Sequence, residues 1–128
     1  MLMINAEKTG DVAVVRCGGR IVRGETVNTL RNAVVLNKDA RMIVVDLADV
    51  TTVDAGGLST LVSLHQWSVS RGIQLKLVNP SSFVHRLLTL TRLDRVFDIP
   101  AFDDALWILS GMAGNRVQHG LTRSYVPC

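Results

Sequence analysis

Few residues of this 128-residue chain could do covalent chemistry, and their spacing groups them poorly. Asp46, Asp49 and Asp54 gather where an apolar run ends, and carboxylates so placed can hold magnesium or accept a phosphoryl group. Such a site needs a pair of acids after the first strand and a lysine after the last, whereas Val12–Cys17 leads into Gly18-Gly19-Arg20. His65 and His85 fall on separate helical segments and His119 near the end of the chain, none with a cysteine or carboxylate at metal-ligand spacing. Cys17 lies inside an apolar run, which disfavours a reactive thiolate, and Cys128 is the last residue. Neither a Gly-x-x-x-x-Gly-Lys-Ser/Thr loop nor a Gly-x-Gly-x-x-Gly following a strand is present. We expect no bound metal, no cofactor and no enzymatic activity.

One segment stands out for recognition rather than catalysis: Val53-Asp54-Ala55-Gly56-Gly57-Leu58-Ser59-Thr60. Asp54 is suited to cap a helix by accepting from its first free amides, and the glycines allow another chain or an anion to come close to the backbone. Leu58 opens the apolar face of that helix. By itself the pattern reads equally as a well-capped tight connection.

The elements around it alternate between strand and helix. Val12–Cys17 and Met42–Leu47 are apolar at odd and even positions, as in strands covered on both faces, with Gly18-Gly19 ending the first and a loop from Ala48 to Asp54 following the second. Between them, 24–37 places Val27, Leu30 and Val34 on one helical face, so a parallel pair joined by a crossover helix is implied. A second helix over 56–71 would bury Leu58, Leu61, Val62, His65 and Val69, with Gly72 as its C-terminal cap. Ile73–Val78 alternates apolar with polar, as a strand near a sheet edge does. Pro80 suits the first turn of a third helix over 81–91 that turns Phe83, Val84, Leu87, Leu88 and Leu90 inward. After a short apolar stretch, 95–99, a last helix over 101–109 buries Ala105, Leu106 and Leu109. The expected architecture is a single α/β domain: a mixed, mainly parallel sheet of four to five strands with about four helices.

Composition agrees with a compact domain, since 48% of residues are apolar and 20% charged. The formal charge of +3 does not imply nucleic acid: Arg116 and Arg123 lie beyond the last acid, and the first 111 residues hold 12 basic against 11 acidic side chains. No apolar run is long enough for a membrane span, so neither a signal peptide nor a membrane helix is expected, and two distant cysteines without a motif point to the reducing cytoplasm. We divide the chain into a domain over 1–111 and a loosely held tail over 112–128.

Taken in order, these pieces give a likeness that no one of them carries. Over about 4–109 the chain resembles the STAS-domain family of anti-sigma-factor antagonists: the strand into Gly19-Arg20-Ile21-Val22, Ile43-Val44-Val45-Asp46-Leu47 followed by Val53-Asp54, Gly57-Leu58, Asn79-Pro80, Leu87-Leu88, Leu93-Asp94-Arg95-Val96-Phe97-Asp98-Ile99 and Asp103-Asp104-Ala105-Leu106. The resemblance implies that the loop and helix start dock onto an ATP-binding anti-sigma factor that is a serine kinase, which then releases its sigma factor. The contact would be made by Asp54, Ala55, Gly56, Gly57, Leu58 and Ser59, flanked by Ile21, Arg23 and Gly24. Regulated members read Asp-Ser-Ser-Gly-Leu here and are phosphorylated on the second serine. Gly56 stands at that position, so the acceptor is lost, and Ser59 and Thr60 are the nearest hydroxyls. The resemblance implies no nucleic-acid or membrane partner, and a monomer or weak homodimer is expected. Alternatives are a STAS scaffold or small-ligand module on the same fold, and a receiver-like phosphoacceptor using Asp46 or Asp54.

Overall fold

The computed structural model describes residues 2–113. Its elements run β1 (Leu2–Thr9), β2 (Val12–Ile21), α1 (Glu25–Val35), β3 (Met42–Val53), α2 (Ala55–Ser70), β4 (Gln74–Val78), α3 (Ser82–Leu90), a 3-10 turn (Leu93–Arg95) and α4 (Phe102–Ala113). The described chain is thus one α/β domain with a four-stranded mixed sheet of order β1-β2-β3-β4. β1 runs antiparallel to β2, while β2, β3 and β4 are parallel neighbours joined by α1 and α2. The tail expected over 112–128 lies outside the described residues from 114 onward.

Because side chains alternate across a strand, the register sorts the core into two layers. Ala13, Val15 and Cys17 of β2 share one face with Ile43, Val45 and Leu47 of β3 and Leu75 and Leu77 of β4. On that face pack Leu30 and Val34 of α1, Leu61 and Leu64 of α2, Val84 and Leu88 of α3, and Phe97. The opposite face is thinner: Val14, Val44 and Val78 meet Ala105 of α4, with Ile108 and Leu109 beside it. Leu77 N donates to the Asp98 carbonyl at 3.0 Å and Lys76 pairs with the Asp98 carboxylate, so the segment leading to α4 covers the edge of β4.

Several sequence expectations change in the folded chain. Gly18-Gly19 does not end β2. The strand continues to Ile21 through register shifts at these glycines, with Gly19 at φ +107°, and β3 follows it through 48–53 instead of breaking into a loop. A bulge bends a ladder without terminating it, and glycine supplies the bend. β1 is an edge strand with only Leu2, Ile4 and Thr9 half-buried, so its alternation is too weak to show in the sequence.

The buried face of α2 is Gly57, Thr60, Leu61, Leu64 and Ser68; Leu58, Val62 and His65 lie at its margin and Val69 points to solvent. α3 buries Val84 and Leu88, whereas Phe83 and Leu90 are exposed, as is Leu106 of α4. Pro80 precedes the N-cap of α3, Ser81, whose hydroxyl accepts from Val84 N at 3.2 Å. Gly72 does cap α2: at φ +71° it donates to the Val69 carbonyl while Ile73 N reaches the Ser68 carbonyl, the paired bonds of a Schellman turn.

The corrected faces make a direct test. Leu64→Ala should lower the unfolding free energy by about 2–5 kcal/mol, as a fully buried leucine does, whereas Val69→Ala should stay within about 0.5 kcal/mol. Equal losses in urea titrations would place α2 in the rotation expected from its apolar residues alone.

Candidate functional site

The conspicuous segment lies where β2 and β3 end side by side. Ile21 pairs with Val53 in the last rung of the sheet, and Asp54 N donates to the Ile21 carbonyl at 3.3 Å. The chain then turns directly into α2. Asp54 is the N-cap, its Oδ1 accepting from Gly57 N at 2.8 Å. The same carboxylate accepts from Arg23 N, at 3.2 Å on Oδ1 and 3.1 Å on Oδ2, so one side chain holds both the start of α2 and the loop between β2 and α1. That loop is fixed again by Thr26, whose hydroxyl accepts from Val22 N at 3.1 Å and donates to the Val22 carbonyl. Gly24, at φ +110°, occupies a conformation that side chains rarely adopt, which completes the turn into α1. The amides of Gly57 and Arg23 hold the Asp54 carboxyl below the usual carboxylate range.

Of the residues expected at a contact surface, the structure brings Arg23, Gly24, Asp54, Ala55 and Ser59 to the exterior and leaves Gly56 and Leu58 half-buried. Two do not belong to the surface. Ile21 is fully buried, and Gly57 is buried beneath it: a Cβ on Gly57 would lie 2.0 Å from the Ile21 carbonyl oxygen. Gly57 therefore serves the packing of α2 on β2 instead of approach by a partner. Gly56 is different, since a Cβ there would meet Arg23 Cβ at 3.0 Å and Arg23 Cα at 3.2 Å, a tight contact that admits a side chain only where Arg23 gives way by a few tenths of an ångström.

Thr60 is also removed as a candidate for modification. It is buried and its hydroxyl donates to the Gly56 carbonyl at 3.0 Å. Ser59 remains exposed. The pattern of apolar residues gave no sign of Ser63, which follows Ala55 and Ser59 at four-residue spacing on the exposed side of α2; small side chains at that spacing are the signal that would have found it.

Asp46 and Cys17 are committed to structure. Asp46 is buried on the α4 face, accepting from Ala48 N at 3.0 Å and Asn79 Nδ2 at 3.3 Å, with Arg16 Nε 3.7 Å away. With Asp54 tied to two amides at the loop, the three aspartates do not converge, and among the described residues no three acidic, histidine or cysteine side chains are placed to share a metal ion. Burial and then the charge of Asp46 push the Cys17 thiol up to about 12, so it stays protonated and unreactive at neutral pH. His65 is half-buried with its ring edge-on to Phe97, and His85 is exposed on α3.

Two outcomes follow. Gly57→Ala should cost about 1–3 kcal/mol or more because the added carbon meets backbone, whereas Ala55→Ser should be neutral within about 0.5 kcal/mol; a stable Gly57→Ala variant would refute the close packing. The lowered Asp54 pKa means that its contribution is fully present above the unfolded-state value and fades as pH falls through the lower folded value. The melting-temperature gap between the wild type and Asp54→Asn should accordingly narrow below about pH 4, and a gap constant to pH 2 would disprove the linkage.

Comparisons with known proteins place this geometry in a family. The chain matches the STAS domain over residues 3–105. It is 38% identical over 64 residues to a Thermotoga maritima protein named "Putative anti-sigma factor antagonist", covering 50% of this chain and 57% of that one. It is 36% identical over 55 residues to low affinity sulfate transporter 3 of Stylosanthes hamata, covering 42% of this chain and 8% of the transporter. The chain thus spans less than two thirds of both relatives. The crystal structure of an anti-sigma factor antagonist from Mycobacterium paratuberculosis superposes with a TM-score of 0.70 at 25% identity, covering 88% of this chain and 95% of that one. With the family pattern spanning β1 to the first turn of α4, the chain belongs to the STAS domain family.

Proposed function

We propose that this protein is an anti-sigma-factor antagonist: a regulator of transcription without catalytic activity that binds an ATP-binding anti-sigma factor of the serine-kinase type and so frees a sigma factor. The observation that carries this reading is the composite surface held by the Asp54 carboxylate, in which the 22–24 loop and the first turns of α2 are fixed before any partner arrives. A preformed surface binds without first losing loop entropy. Ala55, Ser59 and Ser63 line the exposed side of α2 with small side chains, which let a second chain lie close, and Arg23 stands at the margin. The reading places the protein in the bacterial cytoplasm, where sigma factors act. Among the described residues no helix is long and apolar enough to cross a membrane.

The strand order favours protein docking over a small-ligand module. Open α/β sheets bind nucleotides in the crevice formed where successive crossovers diverge to opposite sides. Here β2, β3 and β4 follow one another in order, and both crossover helices pack on one face. The helix start therefore faces outward from a continuous rim.

Gly56 makes the interaction one without the usual serine switch. A phosphate at this position would add nearly two negative charges to the interface, but glycine offers no hydroxyl. Arg23 sits within 3.0–3.4 Å of where a serine Cβ would lie, so the loop closes over the space of the missing side chain. The complex should then persist in the presence of ATP.

Incubation with the anti-sigma kinase from the same cells, with and without ATP, tests this by calorimetry and by mapping phosphate with mass spectrometry. We expect binding in both conditions, no phosphate on the chain, and loss of binding in Ser59→Arg at an unchanged melting temperature. Gly56→Ser should acquire phosphate and release the partner. Stoichiometric phosphate on Ser59 of the wild type, accompanied by release, would reverse the conclusion.

A further inference from the structure

Away from the docking loop, α3 and α4, on opposite faces of the sheet, carry opposite charge beside exposed apolar side chains. On α3, Phe83 and Leu90 are 53% and 74% exposed and lie seven residues apart on one face, with Arg86 between them. Arg92 and Arg95 follow past the end of the helix with exposed Asp94 between them, leaving the segment net basic where Val96 is also exposed. On α4, Leu106 and Trp107 are 46% and 45% exposed and follow Asp103 at three- and four-residue spacing, on the side away from buried Ala105; Asp104 adds a second negative charge. None of Arg86, Arg92, Arg95, Asp103 or Asp104 takes part in an ion pair among the described residues, although Arg16, Arg41 and Lys76 all do.

These two strips cannot meet within one molecule. α3 packs on the face of the sheet that holds Leu77, and α4 packs on the face that holds Val78, so their outer sides point in opposite directions. A second copy of the chain can bring them together. We propose that the protein associates with itself head to tail, the basic, apolar face of α3 on one copy seating the acidic, apolar face of α4 on the next. The occupant follows from complementarity: the acidic partner with neighbouring aromatic and aliphatic side chains that the α3 strip would accept is present in the same sequence. Exposed clusters of large apolar residues are typical of contact surfaces, and opposite charges facing across a contact steer the encounter while like charges placed opposite each other oppose it.

Such a contact joins different patches, so each copy retains one free end and assembly proceeds to rings or open chains instead of stopping at a twofold dimer. The α2 start and the 22–24 loop contribute nothing to the contact. The assembly would present several copies of the docking surface to a partner, and it stands or falls independently of what that partner is.

Sedimentation velocity on the full chain over a range of concentrations tests the proposal. The mean mass should rise with concentration at low salt and return to that of the monomer near 1 M salt, where screening reaches about 3 Å. Arg86→Glu/Arg95→Glu and Asp103→Lys/Asp104→Lys, all at exposed positions, should each stay monomeric with the melting temperature of the wild type. Mixed together, the two variants should associate, because each supplies the charge that the other lacks. Phe83→Ser/Leu90→Ser should lose association irrespective of salt. A wild type that is monomeric throughout, oligomers indifferent to both charge reversals, or a variant mixture that stays monomeric would each overturn the proposal. So would a monomeric wild type captured by phosphatidylglycerol vesicles through the α3 arginines, which would assign the strip to a lipid surface.

Discussion

The close approach of α2 to the end of β2 is the constraint on which the functional end of the molecule is built. With the Ile21 carbonyl where a Cβ of residue 57 would be, only glycine admits the helix at this distance. That approach brings Asp54 into range of the adjacent loop. A carboxylate at a helix start ordinarily satisfies one or two of that helix's own free amides; this one also takes the Arg23 amide, 31 residues earlier in the chain. The cap thus becomes a joint between two loops, and the outward surface is a consequence of how the inner one packs.

The same end of the sheet explains why this fold presents a surface and not a pocket. Parallel strands joined in spatial order send their crossover helices to one side, so the loops at the carboxyl ends form a rim without a diverging crevice. The groups capable of chemistry are withdrawn from that rim. Cys17 is held protonated in the main core, and Asp46 is engaged by Arg16 and Asn79 under the opposite face. What remains outside is the Asp54 carboxylate, engaged by amides, together with backbone, small side chains and the arginines Arg20 and Arg23, which is a vocabulary for recognition.

Asymmetry between the two faces shapes the rest of the domain. Three helices share the larger core, and a single helix, α4, covers the smaller one. Each outer helix buries a narrow stripe, leaving large apolar side chains such as Phe83, Leu90 and Trp107 toward solvent. Isolated exposed leucines are ordinary on protein surfaces; here they recur on the two sides of the sheet beside charges of opposite sign that form no ion pair among the described residues.

The alternation of apolar strand and amphipathic helix determined the α/β class, the parallel pairing of β2 with β3 and the cap at Asp54, because each follows from local periodicity or from hydrogen bonding within a single turn. The edge position of β4 was legible too, in the polar residues that interrupt its apolar ones. Tertiary structure alone decided that Gly18-Gly19 bends a strand and does not end it, since the ladder to β3 carries the chain through. It also decided the rotation of α2. The buried stripe contains Gly57, Thr60 and Ser68, which no hydrophobic pattern marks, and their small size lets the helix settle close to the sheet while Val69 turns outward. The division of the glycine pair has the same origin: residues 56 and 57 are identical in sequence, and only the position of the Ile21 carbonyl makes the second a packing residue and leaves the first beside Arg23.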